Sequence, residues 1–428
     1  MICTEIKRLT TKCGVSTIIT DNSKMKYLLI IFAYCFSAET AFSQWTKVTA
    51  NAPAVNFGAM LLLSDGSVLV KSSLLGNNNV DNTYHKLTPD INGSYINGTW
   101  STIHSMTDSR LYYSSQVLKD GRIYVAGGEY GTGGAAAEVY NPLTDLWTNA
   151  PTPGSFISDA NSEILDDGRI LQAVVGGGST GTFIYDPVTN NYVVGSNSLG
   201  VHNESAWLKL PDNSILFVDI GSTNSERYIP ATNTWIADAN VPVQLYDPYG
   251  FETGGTLLLP DGRGLFLGSL GHNAYYTPSG SAAPGSWTAA PDFPNLQGTP
   301  DAPAAMMING KVLCNASPIP TAGNHFPTPT TFYEFDPVTN VFTVIAAPGG
   351  GINLPIPTYQ TTFLTLPDGN ILFSRFNTNE YYIYTPAGSP QNAWRPVIST
   401  VTKTGTNTYQ VTGTQFNPNF AIALSSKT

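Results

Sequence analysis

Seven times along the chain an apolar strand runs into Asp-Gly, or a close variant of it, and leaves as a second apolar strand. The copies span Leu61 to Val70, Gln116 to Val125, Glu163 to Gln172, Leu208 to Phe217, Leu257 to Phe266, Met306 to Leu313 and Leu364 to Phe373. Each reads as a β-hairpin, because Asp-Gly and Asn-Gly supply the positive φ angles of a type I′ turn. A third strand follows each hairpin and ends in a proline-containing turn, at Pro89, Pro142, Pro187, Pro230, Pro278, Pro337 and Pro386. An aromatic residue on a fourth strand comes next: Trp100, Trp147, Tyr192, Trp235, Trp287, Phe342 and Trp394. Four strands per repeat, with successive turns 45 to 59 residues apart, predict an all-β chain folded as a seven-bladed β-propeller. A β-sandwich would not repeat three signals in fixed order seven times.

The rest of the sequence agrees. Gly 40, Pro 30 and only 12 % charged residues suit short strands and tight turns, and no segment sustains helical periodicity. Near the start, Lys24 and Lys26 flank an apolar run from Tyr27 to Phe36, with the small residues Ala41 and Ser43 before Gln44. That is a signal peptide beginning at Met25 with cleavage after Ser43, so the chain is expected to be secreted, periplasmic or at the cell surface, and residues 1–24 to be a non-native extension. The run is too short to span a bilayer, so no transmembrane segment is expected. Without residues 1–43 the chain keeps 15 Lys/Arg against 27 Asp/Glu, which argues against nucleic acid as a partner. It also keeps only Cys314, so no internal disulfide can form and the core must hold the fold.

The propeller is expected over 44–394. Two segments compete for the last strand of blade seven, around Trp45 and around Trp394; the first is preferred because Pro396 interrupts the pattern after Trp394. Residues 395–428 read as the first strands of an incomplete Ig-like segment.

In a propeller the first strand of every blade lines the central channel, so the residues leading into those strands share one mouth. Counting back eight or nine positions from each turn Asp, or from Asn309, gives Asn56 and Phe57, Leu111 and Tyr112, Ser158 and Asp159, Asn203 and Glu204, Glu252 and Thr253, Pro300 and Asp301, and Tyr359 and Gln360. One side of the mouth is thus expected to be acidic, from Asp159, Glu204, Glu252 and Asp301, and the other aromatic, from Phe57, Tyr112 and Tyr359. Such a cavity suits a cation such as Ca²⁺, or a sugar stacked on a ring with its hydroxyls held by carboxylates. The same carboxylates could instead cap strands. Of the five histidines, His202 is expected near the mouth and His272 and His325 follow second strands; none shows zinc-site spacing.

With Gly127-Gly128 and Gly177-Gly178 as double glycines, the repeats resemble the kelch propeller, and residues 44–428 together resemble galactose oxidase and related copper radical oxidases. The resemblance implies a copper site of two tyrosines and two histidines, one tyrosine being cross-linked to a cysteine. Tyr112 matches the cross-linked tyrosine and Tyr359 the second. Gln360 stands where the family has a histidine, Gly58-Ala59-Met60 stand where the cysteine belongs, and the other histidine falls in a C-terminal module this chain lacks in full. The copper set is therefore incomplete, and copper is not expected.

These residues point to an exported, monomeric, non-catalytic binding propeller that recognises a glycan or an extracellular protein at the mouth, with Ca²⁺ as the candidate cofactor. Two alternatives stand beside it. One is an enzyme, either a divergent oxidase or a metal-assisted carbohydrate-active enzyme using Glu204 or Glu252 as acid or base. The other is a structural adhesion propeller.

Overall fold

The structure, a computed structural model, describes residues 44–73, 80–157, 159–390, 397–405 and 409–414. The expected signal peptide and extension, and the segment around Trp394, lie outside the described residues. Seven antiparallel sheets follow one another along the chain, six of four strands and one, blade six, whose four blade strands carry two further short strands, Gln297–Gly298 and Asn353–Leu354. Blade one consists of Val55–Leu62, Val68–Ser73, Thr83–Thr88 and Thr99–Thr102, and blade four of Ala206–Lys209, Ile215–Val218, Ser225–Ile229 and Thr234–Ala237. The first strands pack side by side from blade two round to blade seven, and that of blade seven packs against that of blade one. The chain is a seven-bladed β-propeller.

The hairpin that repeats has a different turn from the one expected. In blade one Gly66 N donates to Leu63 O and Leu63 N to Ser67 O, which describes a type I turn followed by a left-handed residue. The left-handed position alone has positive φ, as in Gly66 at 82° and Gly121 at 83°, whereas a type I′ turn would need two such residues. Asp supplies the other half of the signal. Asp65 Oδ1 accepts the N–H of Ser67 at 2.9 Å, and Asp120, Asp167, Asp212, Asp261, Asn309 and Asp368 accept the equivalent N–H in the other six blades at 3.0–3.1 Å. All seven repeats therefore share one hydrogen-bond pattern, with Asn213 at φ 67° replacing glycine in blade four.

The proline turn has its own physical cause. Tyr140, Tyr185 and Tyr228 each send a buried hydroxyl five residues on, to Asp145, Asn190 and Asn233, at 2.8–2.9 Å. Those acceptors all sit at positive φ, 50–54°, and the same tyrosines pack on Trp147, Tyr192 and Trp235 with ring centres 5.0–5.4 Å apart. The motif of Tyr, Pro and aromatic residue is thus one folded unit on the third and fourth strands.

Blade seven is closed by the N-terminal strand. Trp45–Lys47 pairs antiparallel with Tyr382–Tyr384, Trp45 opposite Tyr384, as preferred from the sequence. Trp45 packs edge-on against Phe332 and Phe373 at 5.8 and 5.4 Å, and its indole N–H donates to Ala346 O at 2.7 Å. Beyond the propeller, Val397–Lys403 and Tyr409–Thr414 form a hairpin of exposed residues, in the region read as Ig-like. Cys314 is a buried free thiol. Trp45→Ala is expected to cost about 3–5 kcal/mol, through a cavity at the junction of blades six and seven, in reversible denaturant unfolding; a loss below about 1 kcal/mol would mean that the closing strand contributes little.

Candidate functional site

Most of the residues placed by counting converge on one cavity of about 980 Å³ at the mouth of the channel. Tyr112, Asp159, Glu204, Glu252, Asp301, Tyr359 and Gln360 all line it. Two do not. Asn56 is fully buried, its amide donating to the Tyr381 hydroxyl at 3.2 Å and its Oδ1 accepting Gly58 N–H, so it braces blade one. Asn203 is exposed and is not among the lining residues. Phe57 lies in the strand Val55–Leu62, and its side chain lies outside the described residues.

The backbone explains how the side chains reach the channel. Tyr112, Asp159, Glu204 and Asp301 occupy the same position, eight before the turn residue, and all four are left-handed, with φ of 50°, 51°, 53° and 49°. A non-glycine residue in that region costs of order 1 kcal/mol or more, and such strain is found where the surroundings hold a side chain in a demanded place. Glu252 lies nine residues before its turn. Ser269 Oγ fixes it by donating to its carbonyl at 2.7 Å.

The acidic arc is continuous. Glu204 stands close enough to Asp159, and Glu252 to Asp301, for each neighbour to raise its carboxyl. Carboxylate oxygens of Glu204, Glu252 and Asp301 lie within 4.8 Å of one another. Burial pushes the Glu204 and Glu252 carboxyls far above the ordinary carboxylate range, and the neighbouring acids push them the same way. Asp301 is raised in the same direction, although it is the most exposed of the three. No Lys, Arg or His stands among the lining residues to offset them.

Further residues at the mouth escaped the sequence reading. Glu129 and Tyr130 arrive from the loop after the second strand of blade two, and Phe326 and Phe376 from loops of blades six and seven. Glu129 N donates to Tyr112 O at 3.0 Å, and Phe376 N to Gln360 O at 2.8 Å, so these loops are stitched to the mouth residues themselves. The blade-two loop rests on Arg110, whose buried guanidinium donates to Gly127 O and pairs with Glu138 at 3.0 Å. The signal available was the double glycine Gly127-Gly128, which ends a second strand on the mouth side. The rings make a wall: Tyr112 lies 6.0 Å from Tyr130, and Phe326 4.8 Å from Tyr359, which lies 6.3 Å from Phe376. Burial raises the Tyr112 phenol well above its ordinary value.

The histidines sit elsewhere. His202 is fully buried inside blade four, against Trp207 and Trp235, with Nδ1 accepting the Trp207 indole N–H at 3.3 Å and Nε2 bonded to Ser198 Oγ at 2.7 Å. Burial lowers its pKa to about 4, so it is a neutral core residue and does not face the mouth. His272 pairs with Asp292 in an exposed contact, and His325 stacks on Tyr249. With oxygen donors only, no imidazole and no thiol among the lining residues, the mouth does not fit the copper set that the fold resemblance implies.

Repeat, turn and blade together define a kelch-type seven-bladed β-propeller whose fold resembles that of galactose oxidase. The Kelch motif model matches residues 112–154, which is blade two with its left-handed tyrosine and double glycine. Among curated proteins, an F-box/kelch-repeat protein of Arabidopsis thaliana is 32 % identical over 129 residues, covering 24 % of this chain and 27 % of its own. The spermatocyte protein spe-26 of Caenorhabditis elegans is 31 % identical over 105 residues, covering 21 % of this chain and 18 % of its own. The matches thus span about a quarter or less of these relatives. Among solved structures, a fungal alcohol oxidase of the AA5 family in complex with copper aligns with a TM-score of 0.59 at 18 % identity, over 85 % of this chain and 82 % of that one. A streptogramin B lyase aligns at 0.55 and 11 %, over 79 % and 96 %. At these identities the structural likeness is one of fold.

The acidic arc has a consequence for stability. The folded state raises the Glu204 pKa above its ordinary 4.5, so the native chain holds a proton that the unfolded chain releases, and stability falls as pH rises above that value. Glu204→Gln removes the penalty. It is expected to raise the melting temperature at pH 8, by the equivalent of about 1 kcal/mol, and to do so less at pH 5. Scanning calorimetry at the two pH values checks this, and an equal or reversed change would contradict it.

Proposed function

We propose that the chain is an exported, non-catalytic binding propeller that takes a glycan into the mouth of its channel. The observation that carries the reading is the division of one cavity into an arc of carboxylates and a wall of aromatic rings. Sugar rings present an apolar C–H face and a rim of hydroxyls, and a concave site with one aromatic side and one side of acceptors meets both. Tyr359 and Tyr112 would supply the stacking surface, with Phe326 and Phe376 supporting Tyr359 from behind. Asp159, Glu204, Glu252 and Asp301 would accept hydroxyl hydrogen bonds, and Gln360 adds an amide that already donates to the Tyr359 hydroxyl at 3.2 Å.

Support for a binding role over copper chemistry comes from residue identity. Both tyrosines that the resemblance implies are present, while Gln360 stands in place of a ligand and Gly58-Ala59-Met60 offers no cross-link cysteine. What remains of the oxidase mouth is its shape.

A second reading draws on the buried acids. A carboxyl kept protonated at neutral pH is suited to give a proton to a leaving group, so Glu204 or Glu252 could serve as the acid of a carbohydrate-active enzyme. Glycan-array screening of the purified chain, followed by calorimetry on the best ligand, separates the readings. Binding is expected, with Tyr359→Ala and Glu252→Ala each weakening it at least tenfold, about 1.4 kcal/mol, and the glycan recovered intact. Unchanged affinity in both variants would remove the mouth as the site. Recovery of a cleaved glycan would favour the enzyme.

A further inference from the structure

We propose that the mouth holds a calcium ion between Glu204, Glu252 and Asp301. These side chains come from three successive blades, and their oxygens lie within 4.8 Å of one another. Acidic clusters are common without an ion, so the case rests on what surrounds this one. Glu252 is only 8 % exposed, and its Oε2 is buried with no hydrogen-bond donor reaching it among the described residues. A buried carboxyl oxygen with no donor is destabilising, and a cation there would take the place of the missing donor.

A second buried carboxylate stands behind it. Asp247 is fully buried; its Oδ1 accepts the N–H groups of Tyr249 and Gly250 at 2.6 and 2.8 Å, and its Oδ2 has no donor. Asp247 Oδ2, His325 Nδ1 and Glu252 Cγ all lie within 3.3 Å of where a Cβ on Gly250 would stand, so the two acids are neighbours with the His325 imidazole beside them. With Asp159 and Glu129 at the rim, the cavity gathers several negative groups, and its lining offers no cationic side chain. Lys71, buried in blade one close to Gly58, turns its ammonium to Ser72 O at 2.9 Å.

The donor set chooses the ion. Three carboxylates and no nitrogen or sulfur select a hard cation. Calcium accepts flexible geometry at about 2.3–2.6 Å and takes six to eight oxygens, whereas magnesium demands a tight octahedron at about 2.0–2.1 Å. Carboxylates borne by separate blades around an open mouth suit the former. Three side chains leave coordination positions facing the cavity, where water or the hydroxyls of a bound glycan would complete the shell. The ion site rests on the mouth being the binding face but not on the ligand being a glycan, so glycan binding and calcium binding can fail separately.

Titration of the metal-stripped purified chain with CaCl₂ by calorimetry is expected to give one site per chain, with a Kd of about 10⁻⁴–10⁻³ M as in extracellular modules. The melting temperature should climb with the logarithm of calcium concentration. Glu252→Gln and Asp301→Asn should each weaken calcium binding at least tenfold while melting no lower than the calcium-free parent, because each relieves like-charge repulsion. Asp261→Asn, on the opposite turn face, should bind as the parent does. Should the mouth variants fail to fold, terbium luminescence of the parent decides: it should be sensitised by Tyr112 and Trp207, which line the cavity, and quenched by added CaCl₂. The proposal is overturned by an absence of calcium heat and of calcium-displaceable terbium emission in the parent, by stronger binding of MgCl₂ than of CaCl₂, or by folded mouth variants that keep the parent affinity.

Discussion

Closure of the ring by the pairing of Trp45–Lys47 with Tyr382–Tyr384 is the constraint on which everything else depends. A propeller blade buries its faces only against its two neighbours, so an open ring would leave blades one and seven each with an uncovered face. The pairing uses the first described residues to complete the last blade, so the two ends of the repeat array lock one another. Trp45 adds an indole wedged among Phe332, Phe373 and Tyr384. Among the described residues no disulfide assists, since the one cysteine there, Cys314, is a buried free thiol in blade six. The geometry of the mouth is set by this closure, because seven first strands can converge on one axis only if the ring is complete.

The sequence made the fold legible because the punctuation of a blade is chemically narrow. A turn needing one left-handed residue and one side-chain acceptor two positions before the next N–H can be written with few letters, and Asp-Gly, Asp-Asn and Asn-Gly are three of them. The same economy hid the turn type: Asp-Gly satisfies a type I′ turn and a type I turn with a trailing left-handed glycine alike. The hydrogen bonds of Leu63 with Gly66 and Ser67, and the single positive φ at Gly66, distinguish them.

The mouth was legible to the extent that it obeys the register of the repeat. Tyr112, Asp159, Glu204 and Asp301 share a position and a backbone conformation, and counting finds them. Asn56 and Asn203 fall at the neighbouring position, which has no common outcome: Leu111, Glu252 and Tyr359 reach the cavity from it, whereas Asn56 is taken into blade one and Asn203 is left exposed. Glu129, Tyr130, Phe326 and Phe376 sit in loops of unequal length with no common register, so no count leads to them. His202 shows the opposite error: a polar residue close to the mouth in sequence, taken into the blade by Trp207 and Ser198, which satisfy both its ring nitrogens.

The left-handed residues that open into the channel lie outside the sheets, beyond the last ladder hydrogen bond of each first strand. A change of side chain there meets the cavity and the cost of its own backbone conformation, and at Asp159, Glu204 and Asp301 it touches none of the apolar clusters between blades. Blades two, three, four and six each display one such letter on a common frame, and the mouth can be rewritten at those positions with little disturbance of the sheets. A tyrosine pair that resembles an oxidase and an acidic arc that does not can coexist in one ring for that reason: the frame that places them has no stake in which chemistry they spell.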